Sequence, residues 1–221
     1  MRQIIFALVI GLAGTAVLMS LGFWQLSRLD WKLGEIAKAE AMIAADPVAL
    51  PERPDFTTDR YRPVRVSGAF TGAEAHVLTS TREWGPGFRI VAAFRTDAGR
   101  MILIDRGYVP EAERDTPRPP REASVTGNLN WPDDMTSATP APDPAANLWF
   151  GRDVDAMSAW LQTEPVMVIA REPTGDGITP LPATAAFRND HLGYAVTWFG
   201  LAIVWAGMTL GWLWRIRARK I

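Results

Sequence analysis

His191-Leu192-Gly193-Tyr194-Ala195-Val196-Thr197-Trp198-Phe199-Gly200 opens a run that continues to Trp214, and from Leu192 to Trp214 no residue carries a charge. At about 1.5 Å rise per residue, a helix of that length crosses the roughly 30 Å hydrocarbon core of a bilayer. The run therefore reads as a transmembrane helix, and the rest of the chain is placed relative to it. His191 stands at its mouth, and Trp198, Trp205 and Trp212 follow at seven-residue spacing, with Tyr194, Leu201 and Met208 on the same stripe. Gly193, Gly200 and Gly207 recur at the same interval nearly opposite, and Gly207 with Gly211 makes a small-xxx-small pair. Small residues let a second helix approach where lipid supplies no hydrophobic drive, so the glycine face is expected to meet another helix. The tryptophans have two readings: an interfacial belt, which suits Trp212 and Trp214, or a wall facing a partner or cofactor, which suits Trp205 near mid-span.

A hydrophobic content of 48% in 221 residues would describe an average soluble protein if the apolar residues were evenly spread. They are not, because Ile4 to Trp24 is a second uncharged run of spanning length. It is longer than a usual signal-peptide core, and Ser20-Leu21-Gly22-Phe23-Trp24 offers no clear small-x-small cleavage site, so an uncleaved anchor is expected. Arg2 precedes this span, while Arg215, Arg217, Arg219 and Lys220 follow the other, with no acidic residue beside them. By the positive-inside rule both termini are expected in the cytoplasm. Setting those five aside leaves 18 basic against all 24 acidic residues, a net charge of −6 for the translocated middle. No Arg- and Ser-rich amphipathic leader precedes the first span, so the expected setting is a bacterial inner membrane with a periplasmic middle domain.

The reading is thus an α+β membrane protein in which two terminal transmembrane helices flank a β-rich periplasmic domain. Its parts are residues 1–3 in the cytoplasm, 4–24 and 192–214 as the spans, 25–191 as the periplasmic domain with a helical extension, and 215–221 as a basic cytoplasmic tail. There is no cysteine, so no disulfide braces the domain and no thiolate holds copper, zinc or an iron–sulfur cluster. Only His76 and His191 supply imidazole, which argues against a multi-histidine metal site. Nucleic acid is not an expected partner of a net acidic domain.

Leu26, Leu29, Leu33 and Ile36 continue the first helix out of the membrane until Asp46-Pro47 stops it. Trp24, Arg28 and Trp31 share a face at the membrane exit, where Arg can stack over an indole; Lys32 lies beside them, and anchoring in lipid headgroups explains the cluster equally well. After the Pro47–Asp55 connector the period shortens to that of strands: Tyr61 to Phe70, with a bulge near Gly68, then His76 to Thr81 and Phe88 to Arg95. Asp97-Ala98-Gly99-Arg100 turns a hairpin into Met101 to Val109. Ala123 to Leu129 and Pro165 to Ala170 read as further strands, and Val154 to Leu161 as a short helix capped by Asp153. His76 has no ligand partner in view and is taken as structural or exposed, and Gly175 to Pro182 as a flexible lead into the second span.

Five motifs in order resemble the surfeit locus protein 1 family: Leu21-Gly22-Phe23-Trp24-Gln25-Leu26-Ser27-Arg28 with Trp31-Lys32; Tyr61-Arg62-Pro63-Val64 with Gly68; Ile102-Leu103-Ile104-Asp105-Arg106-Gly107-Tyr108-Val109-Pro110; Asn147-x-Trp149 with Arg152-Asp153; and Arg188-Asn189-Asp190-His191-Leu192-x-Tyr194-Ala195-x-Thr197-Trp198. The resemblance covers nearly the whole chain. Gly193 stands where that family commonly has Gln, and Asp105 where it often has Asn.

The resemblance implies an assembly factor for a haem–copper terminal oxidase such as cytochrome c oxidase. It further implies a protein that binds haem a through the histidine heading the second span and assists its insertion into the catalytic subunit. Quinol oxidases are served by related members, and haem a synthase is a further partner it implies. On this reading His191 is the iron ligand, Tyr194 and Trp198 line the porphyrin, and Arg188, three residues before His191, pairs with a propionate, with Arg28 and Lys32 as weaker candidates for the other. Two alternatives stand beside it: His191 simply faces polar headgroups, or the protein is a cofactor-free scaffold holding an oxidase subunit during maturation. No Ser-x-x-Lys, G-x-S-x-G or HExxH arrangement is present, so no catalytic residue is assigned and an enzyme is not expected.

Overall fold

The computed structural model describes residues 2–185 and 189–218. It is an α+β structure in which the chain forms two compact units, residues 1–38 with 186–221, and residues 39–185.

The first unit is a pair of helices. Helix α1 runs Arg2–Ala44, its last residues belonging to the other unit, and α4 runs His191–Ala218. Both are long and apolar enough to cross a membrane. They pack antiparallel, Phe6 meeting Trp212 edge-on at 6.4 Å and Phe23 meeting Phe199 at 5.4 Å. The buried positions of α1 are Ala7, Gly11, Gly22 and Gln25, and those of α4 are Ala195 and Ala202. Small residues therefore line the seam, as expected where packing rather than water drives association.

The glycines that form the seam are not the ones expected. A Cβ placed on Gly193, Gly200, Gly207 or Gly211 would meet nothing within 4 Å among the described residues, so the glycine face of α4 is open in this helix pair. The close approach is made by α1 instead: a Cβ at Gly11 would strike Thr209, at Gly14 the Trp205 indole, and at Gly22 the Phe199 ring. Bulky residues of α4 sit in notches of α1. A seven-residue interval tells which residues share a face, but complementarity with the neighbour decides which face is used.

The second unit is built on a sheet. Strand β1 (Val48–Ala49) and a short helix α2 (Phe56–Asp59, capped by Asp55) precede β2 (Pro63–Thr81), β3 (Gly85–Thr96), β4 (Met101–Pro110) and β5 (Arg121–Leu129). Helix α3 (Val154–Leu161) and β6 (Met167–Ala170) complete it. The sheet order β1-β2-β3-β4-β6-β5 carries an additional β2–β5 pairing, so strands β2 to β6 close into a five-stranded barrel with β1 parallel to the start of β2. Closure removes the exposed edges that an open sheet would present.

Closure depends on the length of β2. The stretches Tyr61–Phe70 and His76–Thr81, expected as separate strands, are one 19-residue strand. Residues 63–70 pair with β5 and residues 68–81 with β3, 68–70 bridging both, and the register slips between Phe70 and Glu74 rather than at Gly68. Gly68 serves a different purpose, because its absent side chain lets the Arg95–Thr96 backbone come close. The hairpin at residues 97–100 forms as expected, with Arg95 opposite Met101 and the Gly99 N–H donating to the Thr96 carbonyl at 2.8 Å. Asp153 caps α3 as expected, accepting from the Ala156 N–H at 3.0 Å.

Alternate residues of all five strands fill the barrel: Val64, Val66 and Phe70 of β2, Ala92 and Phe94 of β3, Ile102 and Ile104 of β4, Val125 and Leu129 of β5, Val168 and Ala170 of β6. Burying one such large aliphatic or aromatic side chain contributes about 1.5–3 kcal/mol. The opposite face of β4 is covered as well, where Leu103 packs with Val77, Val91, Trp149 and Met157 of α3. This explains why β4 reads as continuously hydrophobic rather than alternating. The stretch Gly175–Pro182, expected to be a flexible lead, is docked: Thr179 exchanges backbone hydrogen bonds with Tyr108 at 2.7 and 2.9 Å, and Ile178 is buried.

Candidate functional site

In the helix pair, His191 begins α4 and its Nδ1 lies 2.7 Å from Oε1 of Gln25 on α1. Gln25 is 8% exposed, a polar side chain in an otherwise apolar and small seam. An amide oxygen only accepts, so Nδ1 is the donor in this hydrogen bond and Nε2 is the ring nitrogen that the bond leaves unengaged. Nε2 makes no hydrogen bond among the described residues. Two residues earlier, the Asn189 side-chain oxygen is buried and has no hydrogen-bond partner among the described residues. One end of the helix pair thus carries an imidazole nitrogen and a buried amide oxygen that are both unengaged among the described residues.

The other expected site residues are placed differently. Trp198 is half-buried on the same seam as His191 and Ala195, while Tyr194 is 55% exposed on its flank. Arg188 lies outside the described residues. The aromatic stripe divides the same way: Trp205 lies on α1, whereas Leu201 and Met208 face outward. Ala7, Ile10 and Gly11 of α1 line a half-open groove of about 220 Å³ with Trp205, Thr209, Trp212 and the exposed Met208 of α4. Trp205 follows His191 by 14 residues, about 21 Å along a helix, so this groove and the histidine are separate features. On α1, Arg28 stacks over the Trp31 ring at 4.5 Å from its centroid, as the face they share led one to expect.

Among the described residues no group of three or more His, Cys, Asp or Glu side chains is placed to hold a metal ion. In His191 Nδ1 is engaged by Gln25 and Nε2 is not.

The barrel unit contains a charged network that sequence reasoning did not find. Asp105, fully buried, accepts from Arg89 and, at 3.0 Å, from Arg152 Nη1; Arg152 also donates to Asp134 at 2.6 and 3.1 Å. Burial works against the charge on Arg152, but its hydrogen bonds and its attraction to Asp134 and Asp105 outweigh burial and hold its pKa above the ordinary value. Arg106, beside Asp105, is 2% exposed and bonds Asp176 at 2.5 Å; there burial dominates and lowers the guanidinium pKa. The signal was an Asp-Arg pair inside an otherwise apolar strand, since a buried charge requires a partner. His76 is structural and not exposed: it is 6% accessible, with Nε2 2.8 Å from Glu74, and Arg118 pairs with the same carboxylate.

On the surface of this unit a cleft of about 530 Å³ lies between Phe56, Arg60, Trp131 and the Asp153–Asp155 turn. Phe56 and Trp131 meet edge-on at 6.0 Å, and Arg152 is among the lining residues. The motif pairs read separately in the sequence come together in space: Gln25 with His191 in the helices, and Asp105 with Arg152 in the barrel.

A family model described as the SURF1 family matches residues 12–203. Surfeit locus protein 1 of Rattus norvegicus is 30% identical over 210 residues, covering 84% of this chain and 69% of its own. The Homo sapiens protein of the same name is 32% identical over 206 residues, covering 82% and 69%. A SURF1-like protein of Rickettsia felis is 33% identical over 204 residues, covering 84% and 87%. With the family model matching most of its length and the motif pairs meeting in the structure, this chain belongs to the SURF1 family.

Proposed function

We propose that this protein is an assembly factor for a haem–copper terminal oxidase, acting from a bacterial inner membrane. In this reading α1 and α4 span the bilayer, both termini face the cytoplasm and the barrel unit stands in the periplasm. His191 offers Nε2 as axial ligand to haem a, which is passed to the oxidase catalytic subunit; haem a synthase is the natural donor. Membership of the family and the tied imidazole of His191 support this, and the hydrogen bond to Gln25 is the observation that carries it. Haem is the cargo in this reading, and this chain's part is to hold, orient and release it. Tyr194 and Trp198 would line the porphyrin, and Arg188 would pair with a propionate at the polar boundary.

The visible spectrum of protein purified from cells that make haem a tests the reading. Wild-type protein should carry bound haem, His191→Ala should lose or shift its bands, and His76→Ala should keep them. Unchanged bands and haem content in His191→Ala would remove the ligand assignment. The scaffold reading would then take its place, favoured by the open glycine face of α4, to which another helix could pack. Topology is tested separately: alkaline phosphatase fused in the loop at Pro140 should be active and fused after Ile221 inactive, and the reverse would overturn the orientation.

A further inference from the structure

We propose that Gln25 is the positioning residue of this site: by accepting the Nδ1–H of His191 it holds the imidazole in the tautomer whose Nε2 can bind a metal. The inference rests on the reading of His191 as a haem ligand. It gives a role to a side chain in a motif that membrane anchoring alone leaves unexplained. An exposed glutamine at a membrane boundary would find water or headgroups, but Gln25 is 8% exposed on the face of α1 that carries Ala7, Gly11 and Gly22. A buried amide there is costly unless bonded, and its oxygen is 2.7 Å from His191.

The consequences are chemical. Which histidine nitrogen stays free is set by the hydrogen bond made by the other. An unconstrained histidine side chain in water favours the Nε2–H form, which cannot ligate through Nε2 until that proton leaves. Acceptance by Gln25 reverses the preference and fixes the ring plane, as outer partners of metal-bound histidines do. The bond also joins α1 to the first residue of α4, so the ring is oriented by a helix other than its own.

The test uses full-length protein in micelles, without haem, carrying ¹⁵N-labelled histidine. The chain has two histidines, so the long-range ¹H–¹⁵N spectrum contains two imidazoles, and loss of one set in His191→Ala assigns the other to His76. Wild type should show His191 with Nδ1 protonated and Nε2 bare. Gln25→Leu, close in volume but lacking the acceptor, should move His191 toward Nε2–H, and Gln25→Glu, which keeps the acceptor, should restore the wild-type pattern. Unchanged His76 signals report an intact barrel unit. Titration with haemin should show about 10–100-fold weaker binding in Gln25→Leu than in wild type or Gln25→Glu.

An Nε2–H form in wild-type protein, or the same tautomer in wild type and Gln25→Leu, would overturn the role of Gln25. If Gln25→Leu fails to fold, the tautomers of wild type and Gln25→Glu still decide it. The two ideas fail separately. Haemin binding that survives in His191→Ala removes the ligand reading whatever the tautomer, whereas binding lost in His191→Ala with an unmoved tautomer in Gln25→Leu removes only the positioning role.

Discussion

Arg152 Nη1 donates to Asp105 Oδ2 at 3.0 Å, joining the start of α3 to the middle of a barrel strand. Asp105 is fully buried, and its other oxygen accepts from the Gly107 N–H at 3.1 Å. One carboxylate thus binds two arginines and the strand's own backbone, and both partners lie in motifs that the sequence presents 47 residues apart.

Removing that carboxylate should be severe. Asp105→Ala leaves Arg89 and Arg152 partly buried without their shared partner, and breaking a buried pair in this way costs about 3–5 kcal/mol. Asp105→Asn keeps an oxygen for the Gly107 N–H and should cost clearly less. Urea unfolding of the full-length protein, followed by tryptophan fluorescence, should rank the stabilities wild type, Asn, Ala; equal midpoints for Asn and Ala would refute the assignment.

A second prediction concerns acid. Burial opposes ionisation of Asp134, but the hydrogen bonds and charge of Arg152 outweigh it and hold the carboxyl below its ordinary value. A carboxyl depressed in the folded state adds stability that is fully present above its unfolded pKa, about 3.9, and is lost as pH falls through the folded value. Asp134→Asn should therefore destabilise the protein at pH 7 by more than it does near pH 3. A gap in urea midpoint that is independent of pH would contradict the linkage.

Gly107 and Gly99 make a controlled comparison. Gly107 has φ +113° and a Cβ there would strike the Thr179 carbonyl, whereas Gly99 has φ +82° and open space around it. Both Ala variants bear the strain of an unfavourable backbone region, on the order of 1–3 kcal/mol, but only Gly107→Ala must also push the 178–180 segment off β4. The thermal midpoint should fall further for Gly107→Ala, and hydrogen exchange at the Thr179 amide should accelerate in that variant alone.

Helix pairing is tested by moving bulk between faces. Gly14→Leu should separate α1 from α4, because Trp205 occupies that notch, while Gly200→Leu projects into open space and should leave the pair intact. Disulfide formation between cysteines engineered in place of Ala7 and Thr209 should drop in Gly14→Leu and persist in Gly200→Leu. The opposite ranking would show that the glycine face of α4 forms the seam after all.

The amino-acid sequence by itself determined what local physics controls. Uninterrupted apolar length made α1 and α4 long helices, the stop at Asp46-Pro47 ended the first at Ala44, Asp153 capped α3, and Asp97-Ala98-Gly99-Arg100 turned the β3–β4 hairpin. Propensity, capping and turn geometry act within a few residues and are visible without the rest of the chain. His191 was legible as a candidate because a histidine at the head of an apolar run is chemically conspicuous.

Tertiary structure decided whatever depends on two distant surfaces fitting. The alternation in β2 marks its inward residues but not that its two ends pair with different strands and close a barrel. Heptad glycines mark a face of α4, yet Phe199, Trp205 and Thr209 fit notches on α1 that only the paired helices reveal. Gln25 meets His191 across 166 residues and Asp105 meets Arg152 across 47, and neither partner carries a local signal naming the other. Such pairs form because a buried polar group must find a partner, and which partner it finds is settled by packing.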